Sequence, residues 1–157
     1  MRECFKGDFV PDGLAGDLAR GVMRLFGDMG QACIAEFRLG NARRVDVMAV
    51  DRDGRLTAVE IKSSLADYRS DRKWQDYLAW CNAFYFAVPE TFDRGILPDG
   101  IGVMVADAYG AAVVAPSPEY ALAPARRKAL TLRFAMTAGR RLMRLDEPAF
   151  PAAITPE

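Results

Sequence analysis

The sequence predicts an α/β domain in which a mixed β-sheet is flanked by helices. Apolar residues recur at spacings of three and four from Leu14 to Met29, and helical character returns from Pro124 to Leu145. Between these segments lie short extended runs punctuated by Gly, Pro and Asp. After the third run comes a helical stretch and then another strand, which is the signature of a crossover within a sheet.

The elements follow in order. After the loop of Pro11, Asp12 and Gly13, the residues Leu14, Leu18, Val22, Leu25, Phe26 and Met29 share one helical face, and Gly30 caps its end. Cys33 to Leu39 reads as a strand, and Arg44 to Asp51 and Leu56 to Lys62 as two more. Arg52, Asp53 and Gly54 join these last two, and Asp-Gly between apolar runs signals a hairpin. Ser63 and Ser64 end the extended pattern, and Ser70 is placed to cap a helix carrying Trp74, Tyr77, Leu78 and Cys81. The two rings of Trp74 and Tyr77 read as core rather than as base-stacking groups. Ala83 to Val88 is a short aromatic strand stopped by Pro89, and Ile101 to Ala106 and Ala111 to Ala115 form two further strands turning through Asp107 to Gly110. One domain over 1–147 and a loose tail over 148–157, with Pro148, Pro151 and Pro156, are the expected organisation.

Composition narrows the function. With 51% hydrophobic and 27% charged residues, the chain is that of an ordinary globular protein, and no apolar run approaches the length of a membrane span. The first residues, with Glu3, Lys6, Asp8 and Asp12, lack a signal-peptide core, so a cytoplasmic location and no membrane partner are expected. Cys4, Cys33 and Cys81 lack the paired spacing of a zinc site and read as reduced thiols. Histidine is absent, so catalysis must rest on carboxylates, lysine or a hard metal ion. The 21 basic and 21 acidic residues balance, but Arg126, Arg127, Lys128, Arg133, Arg140, Arg141 and Arg144 accumulate in a stretch without acids. It is either a phosphate-facing surface or a solvated helix face whose cations pair elsewhere.

Two carboxylates stand where apolar residues belong. Val45 to Val50 is apolar except for Asp46, and in the next strand Glu60 and Lys62 share one face while Val59 and Ile61 share the other. If Arg52, Asp53 and Gly54 form a three-residue loop with Gly54 left-handed, Asp51 pairs with Arg55, Asp46 falls opposite Glu60 and Arg44 opposite Lys62. A two-residue turn would put the acids on different faces. We adopt the first register. Two carboxylates about 5 Å apart at their β-carbons need a proton or a cation between them. Oxygen ligands without histidine or thiolate favour Mg²⁺ or Mn²⁺. Such an ion suits phosphodiester hydrolysis. The Lys62 ammonium, its pKa lowered beside a metal, would orient water or offset charge in the transition state. Glu36, on the preceding strand, either adds a carboxylate for a second metal or a water network, or is an ordinary exposed strand residue.

The segments Arg43-Arg44-Val45-Asp46 and Val59-Glu60-Ile61-Lys62-Ser63-Ser64 together resemble the signature of the PD-(D/E)XK nuclease superfamily, with Val45 where its usual proline stands. The resemblance implies a restriction-endonuclease-like fold, Asp46 and Glu60 as metal ligands, the carbonyl of Ile61 as a third, and Lys62 as the catalytic lysine. A closer resemblance, from Arg20 to Arg133, is to the MmcB-like DNA-repair family. It is carried by Ala19-Arg20-Gly21-Val22, Asp71-Arg72-Lys73-Trp74, Phe84-Tyr85-Phe86-Ala87-Val88, Val105-Ala106-Asp107-Ala108-Tyr109-Gly110 and Arg127-Lys128-Ala129-Leu130-Thr131-Leu132-Arg133-Phe134. It implies a role in DNA repair and makes Arg72 and Lys73, at the start of the helix expected beside Glu60, candidates with Arg44 for holding DNA phosphates. The expected function is a Mg²⁺-dependent DNA nuclease acting in repair. A non-cleaving DNA-binding or adaptor protein on the same fold, or an RNA or nucleotide phosphodiesterase, are the alternatives. A homodimer would provide the second site that cutting both DNA strands requires.

Overall fold

The computed structural model describes residues 10–148. The expected tail therefore lies outside the described residues beyond Pro148, as does Cys4. Helix α1 spans Gly13–Asp28, followed by strands β1 (Ala32–Arg38), β2 (Arg44–Val50) and β3 (Leu56–Ile61). A short helix α2 (Leu65–Ser70) and a 3₁₀ segment (Trp74–Trp80) lead to β4 (Ala83–Val88). After a second 3₁₀ turn (Arg94–Ile96) come β5 (Gly102–Ala106), β6 (Ala111–Ala115) and helix α3 (Pro124–Asp146). The six strands form one mixed sheet in chain order, antiparallel from β1 to β3, parallel from β3 to β5, and antiparallel again at β6.

The hairpin forms as its chemistry dictates. Gly54 takes φ +77°, a conformation that a β-carbon disfavours. Asp51 N–H donates to the Arg55 carbonyl at 3.2 Å, and the Asp51 carboxylate accepts from Asp53 and Arg55 N–H at 2.9 Å each. That pins the three-residue loop and the register, with Val47 opposite Val59 and Val50 opposite Leu56.

Both faces of the sheet are covered. On one, α1 lays Leu18, Val22 and Phe26 against Val47, Val59, Ile61, Ala87 and Met104. On the other, Leu130 and Phe134 of α3 join Phe37, Met48, Leu56, Tyr77, Phe84 and Phe86. Strand β3, central between these layers, is buried at every position. Tyr77 lies in the core and Trp74 packs against it, both rings stacked on Phe84.

The crossover departs from expectation. Ser70 ends a helix rather than capping one; the cap is Ser64, whose hydroxyl accepts from Asp67 N–H at 3.1 Å. Asp71 then interrupts the chain by accepting from Lys73 N–H at 3.0 Å, and Trp74 to Trp80 winds as 3₁₀. An i, i+3, i+4 pattern over so few residues fits either winding, and the side-chain acceptor at Asp71 decides it.

At the far edge, β6 carries a bulge. Val103 pairs with Ala115 and Met104 with Val113, which leaves Val114 without a partner. The β5–β6 turn rests on α1 at Gly21, where an added β-carbon would lie 2.0 Å from the Asp107 carbonyl oxygen and 2.4 Å from that of Gly110. Gly21→Ala is therefore expected to push turn and helix apart and destabilise the fold by about 2–3 kcal/mol in urea unfolding. An unchanged midpoint would mean that the turn yields freely.

Candidate active site

The β2–β3 ladder opens where the two carboxylates enter it. Its register carries Asp46 to the position opposite Glu60, but backbone pairing stops at Val47 and Val59. Beyond that point the Asp46 carboxylate, through Oδ2, accepts the Ile61 N–H at 2.7 Å. The expected pairing of Arg44 with Lys62 does not form for the same reason: Arg44 stays with β1, opposite Arg38. Strand β1 is distorted at the same level, since Glu36 takes φ +54° between two regular pairs. This conformation costs energy for a residue with a side chain. Arg141 of α3 holds it by donating to the carbonyls of Ala35 at 2.6 Å and Glu36 at 3.3 Å. The Glu36 carboxylate meets Arg44 Nε at 2.6 Å.

The opening is a cleft of about 290 Å³. Pro11, Ala15 and Ala19, from α1 and the loop before it, form an apolar wall, and the rest of the lining is Glu36, Asp46, Glu60, Ile61, Lys62, Asp67 and Asp71. Of the nucleic-acid-binding candidates, Arg44 reaches it through Glu36, whereas Arg72 and Lys73 are exposed and do not line it. The crossover instead contributes two acids that sequence reasoning passed over. Asp71 Oδ2 lies 2.8 Å from Lys62 Nζ, and Asp67 Oδ2 accepts from Ser63 N–H at 3.1 Å. Ser64-x-x-Asp67 is a capping-box pattern that could have signalled the latter.

Five carboxyl groups and one lysine thus line the cleft. Glu60 and Lys62 have side chains only 6% and 4% exposed, with 3.8 Å between Oε2 and Nζ. Glu60 Oε1 is buried with no hydrogen-bond partner. Burial first, then repulsion by Asp46, pushes the Glu60 carboxyl up to about 9. Burial also raises Asp46 to about 6, against the Ile61 N–H that favours its charge. Without a metal, Lys62 is held above its ordinary value: burial lowers it, but the hydrogen bond to Asp71 and the charge of Glu60 outweigh burial.

Among the described residues, no three or more Asp, Glu, His or Cys side chains form a ready metal cage. The described thiols, Cys33 and Cys81, are pushed up by burial to about 11 and about 12, which keeps them protonated. The donor set that fits a hard cation is Asp46 and the unpartnered Glu60 oxygen, next to Ile61. No helix among the described residues is long and apolar enough to cross a membrane.

A carboxylate cleft with one buried lysine and shifted titratable groups, opened at the end of a central strand, marks the candidate functional site of this α/β protein. Comparison with known proteins makes this particular. The chain belongs to the MmcB-like family, whose model, described as DNA repair protein MmcB-like, matches residues 12–149. The solved structure of the SPO1766 protein of unknown function from Silicibacter pomeroyi is similar, at 40% identity and a TM-score of 0.88, covering 93% of this chain and 100% of that one. A search of curated proteins finds no match.

The raised carboxyls fix a pH dependence. The folded protein keeps protons on Asp46 and Glu60 that the unfolded chain releases near about pH 4, so metal-free stability falls as pH rises through about 6 and on towards about 9. In chelator, the melting temperature should drop from pH 5 to pH 9, and Glu60→Gln should flatten the upper part of that fall. A variant that tracks the wild type at every pH would contradict the placement of Glu60.

Proposed function

We propose that this protein is a divalent-metal-dependent DNA nuclease of the PD-(D/E)XK kind, with a restriction-endonuclease-like fold, acting in DNA repair. The observation that carries the reading is the buried, unpartnered Glu60 oxygen beside Asp46, with Lys62 two residues along the same strand. The family name supports the repair context. Asp46, Glu60 and the Ile61 carbonyl would hold Mg²⁺ or Mn²⁺. When bound, the ion would supply charge neutralisation for a phosphate oxygen and acidify a water for attack on phosphorus.

The chain's own groups do the rest. Lys62 Nζ is kept charged by Asp71 and stands 3.8 Å from Glu60, where it can offset negative charge gathering on the phosphoryl oxygens. Arg44 covers the Glu36 carboxylate, which removes one repulsive charge from the path of a phosphate. The apolar wall of Pro11, Ala15 and Ala19 limits water around the acids. DNA is the partner, bound with Arg44, Arg72 and Lys73 along the approach.

The test uses branched, single-stranded and duplex DNA with Mg²⁺ or Mn²⁺, with thermal melting in parallel. The wild type should cleave at least one substrate, and Lys62→Ala should lower the rate by about 10²–10³-fold. Asp46→Ala should abolish both cleavage and the rise in melting temperature on adding the ion. DNA bound equally by all three proteins and cut by none would assign the fold to a non-cleaving adaptor. Preferential cutting of RNA would move the substrate class.

A further inference from the structure

Helix α3 is 23 residues long, about 34 Å at the usual rise, yet only Leu130 and Phe134 of it are buried. Its inward side is fully engaged. Those two residues enter the aromatic core, Arg126 lies 4.2 Å over the Trp80 ring, Arg127 donates to the Gly54 carbonyl, and Arg141 holds the Glu36 distortion. The outward side of such a helix is ordinarily polar. Here Ala125, Ala129, Leu132, Met136, Gly139 and Met143 follow one another at alternating spacings of four and three, and all are exposed. Leu132 is 62% exposed, Met136 48% and Met143 44%. Lys128 flanks this seam on one side, and Arg133 and Arg140 on the other. None of the three forms an ion pair among the described residues. No acid occurs from Pro124 to Leu145.

We infer that the outer face of α3 is a docking surface for an amphipathic helix of a partner protein, one that carries acidic residues beside its own apolar seam. The alternation of four and three is the pattern that receives a second helix, and Ala129 and Gly139 leave room for larger side chains from it. The cationic borders select acids on the partner. A second copy of α3 would set cations against cations with no acid along either seam to relieve them. A nucleic-acid backbone would meet Leu132, Met136 and Met143 at the centre of the contact, where it needs charge. The surface stands independently of the nuclease reading.

The experiment titrates the whole chain with two synthetic helical peptides sharing one leucine seam, one bordered by Glu and the other by Lys, followed by fluorescence anisotropy. Sedimentation velocity and competition with duplex DNA accompany it. The Glu peptide should bind and the Lys peptide should not. Leu132→Glu, at an exposed position, should weaken binding by about thirtyfold, and Arg133→Glu with Arg140→Glu should reverse the preference. Asp46→Ala should bind like the wild type. Equal binding of both peptides, or of neither, overturns the proposal. Self-association lost in Leu132→Glu would give the face to a second copy, and displacement of the peptide by DNA would give it to nucleic acid.

Discussion

One hydrogen bond organises the site: the Asp46 carboxylate takes the Ile61 N–H that a neighbouring strand would otherwise bond. A side chain substituting for a backbone carbonyl ends the β2–β3 ladder without leaving a buried donor unsatisfied. The strands separate there, the cleft appears between them, and Glu60 and Lys62 are left facing an interior that the sheet would have closed. The strained backbone at Glu36 and its support by Arg141 lie at the same level of the neighbouring strand. Strain at that position is sustained because a core formed by α1, α3 and the sheet surrounds it.

Most charges of the cleft are arranged in pairs. Arg44 covers Glu36, Asp71 covers Lys62, and Asp67 is engaged by the backbone and hydroxyl of Ser63. Glu60, 3.8 Å from Lys62 Nζ, shares that lysine with Asp71, and burial first, with repulsion from neighbouring carboxylates, shifts Asp46 and Glu60 toward their neutral forms. A lysine shared between Asp71 and Glu60 is also restrained from swinging out of the cleft, so its charge is delivered at one place.

Much of this was legible in the sequence. The three-residue loop with Gly54 left-handed defined the register that sets Asp46 level with Glu60, because a two-residue turn would have put the two acids on different faces. The acids stood out because they interrupt apolar strands. What escaped depended on the crossover. Asp67 and Asp71 become site residues only when the segment after β3 folds back over its end, and nothing local to them says where that is. Arg72 and Lys73 were read from a helix start that the Asp71 turn displaces. The cations of α3 looked alike along the chain, but Arg126, Arg127 and Arg141 are tied to main-chain carbonyls, and the helix they stabilise presents an apolar face outward.

The unpaired Val114 on β6 has a colloidal meaning. With 21 positive and 21 negative residues the chain has no net charge to keep copies apart, and an uncharged edge strand bearing exposed Val113 and Val114 would otherwise invite a neighbour to continue the sheet. The bulge throws the donors and acceptors of that edge out of step with any straight strand laid beside it, and Pro116 and Pro118 shorten the run that remains. At zero net charge, that geometry opposes continuation of the sheet at the β6 edge.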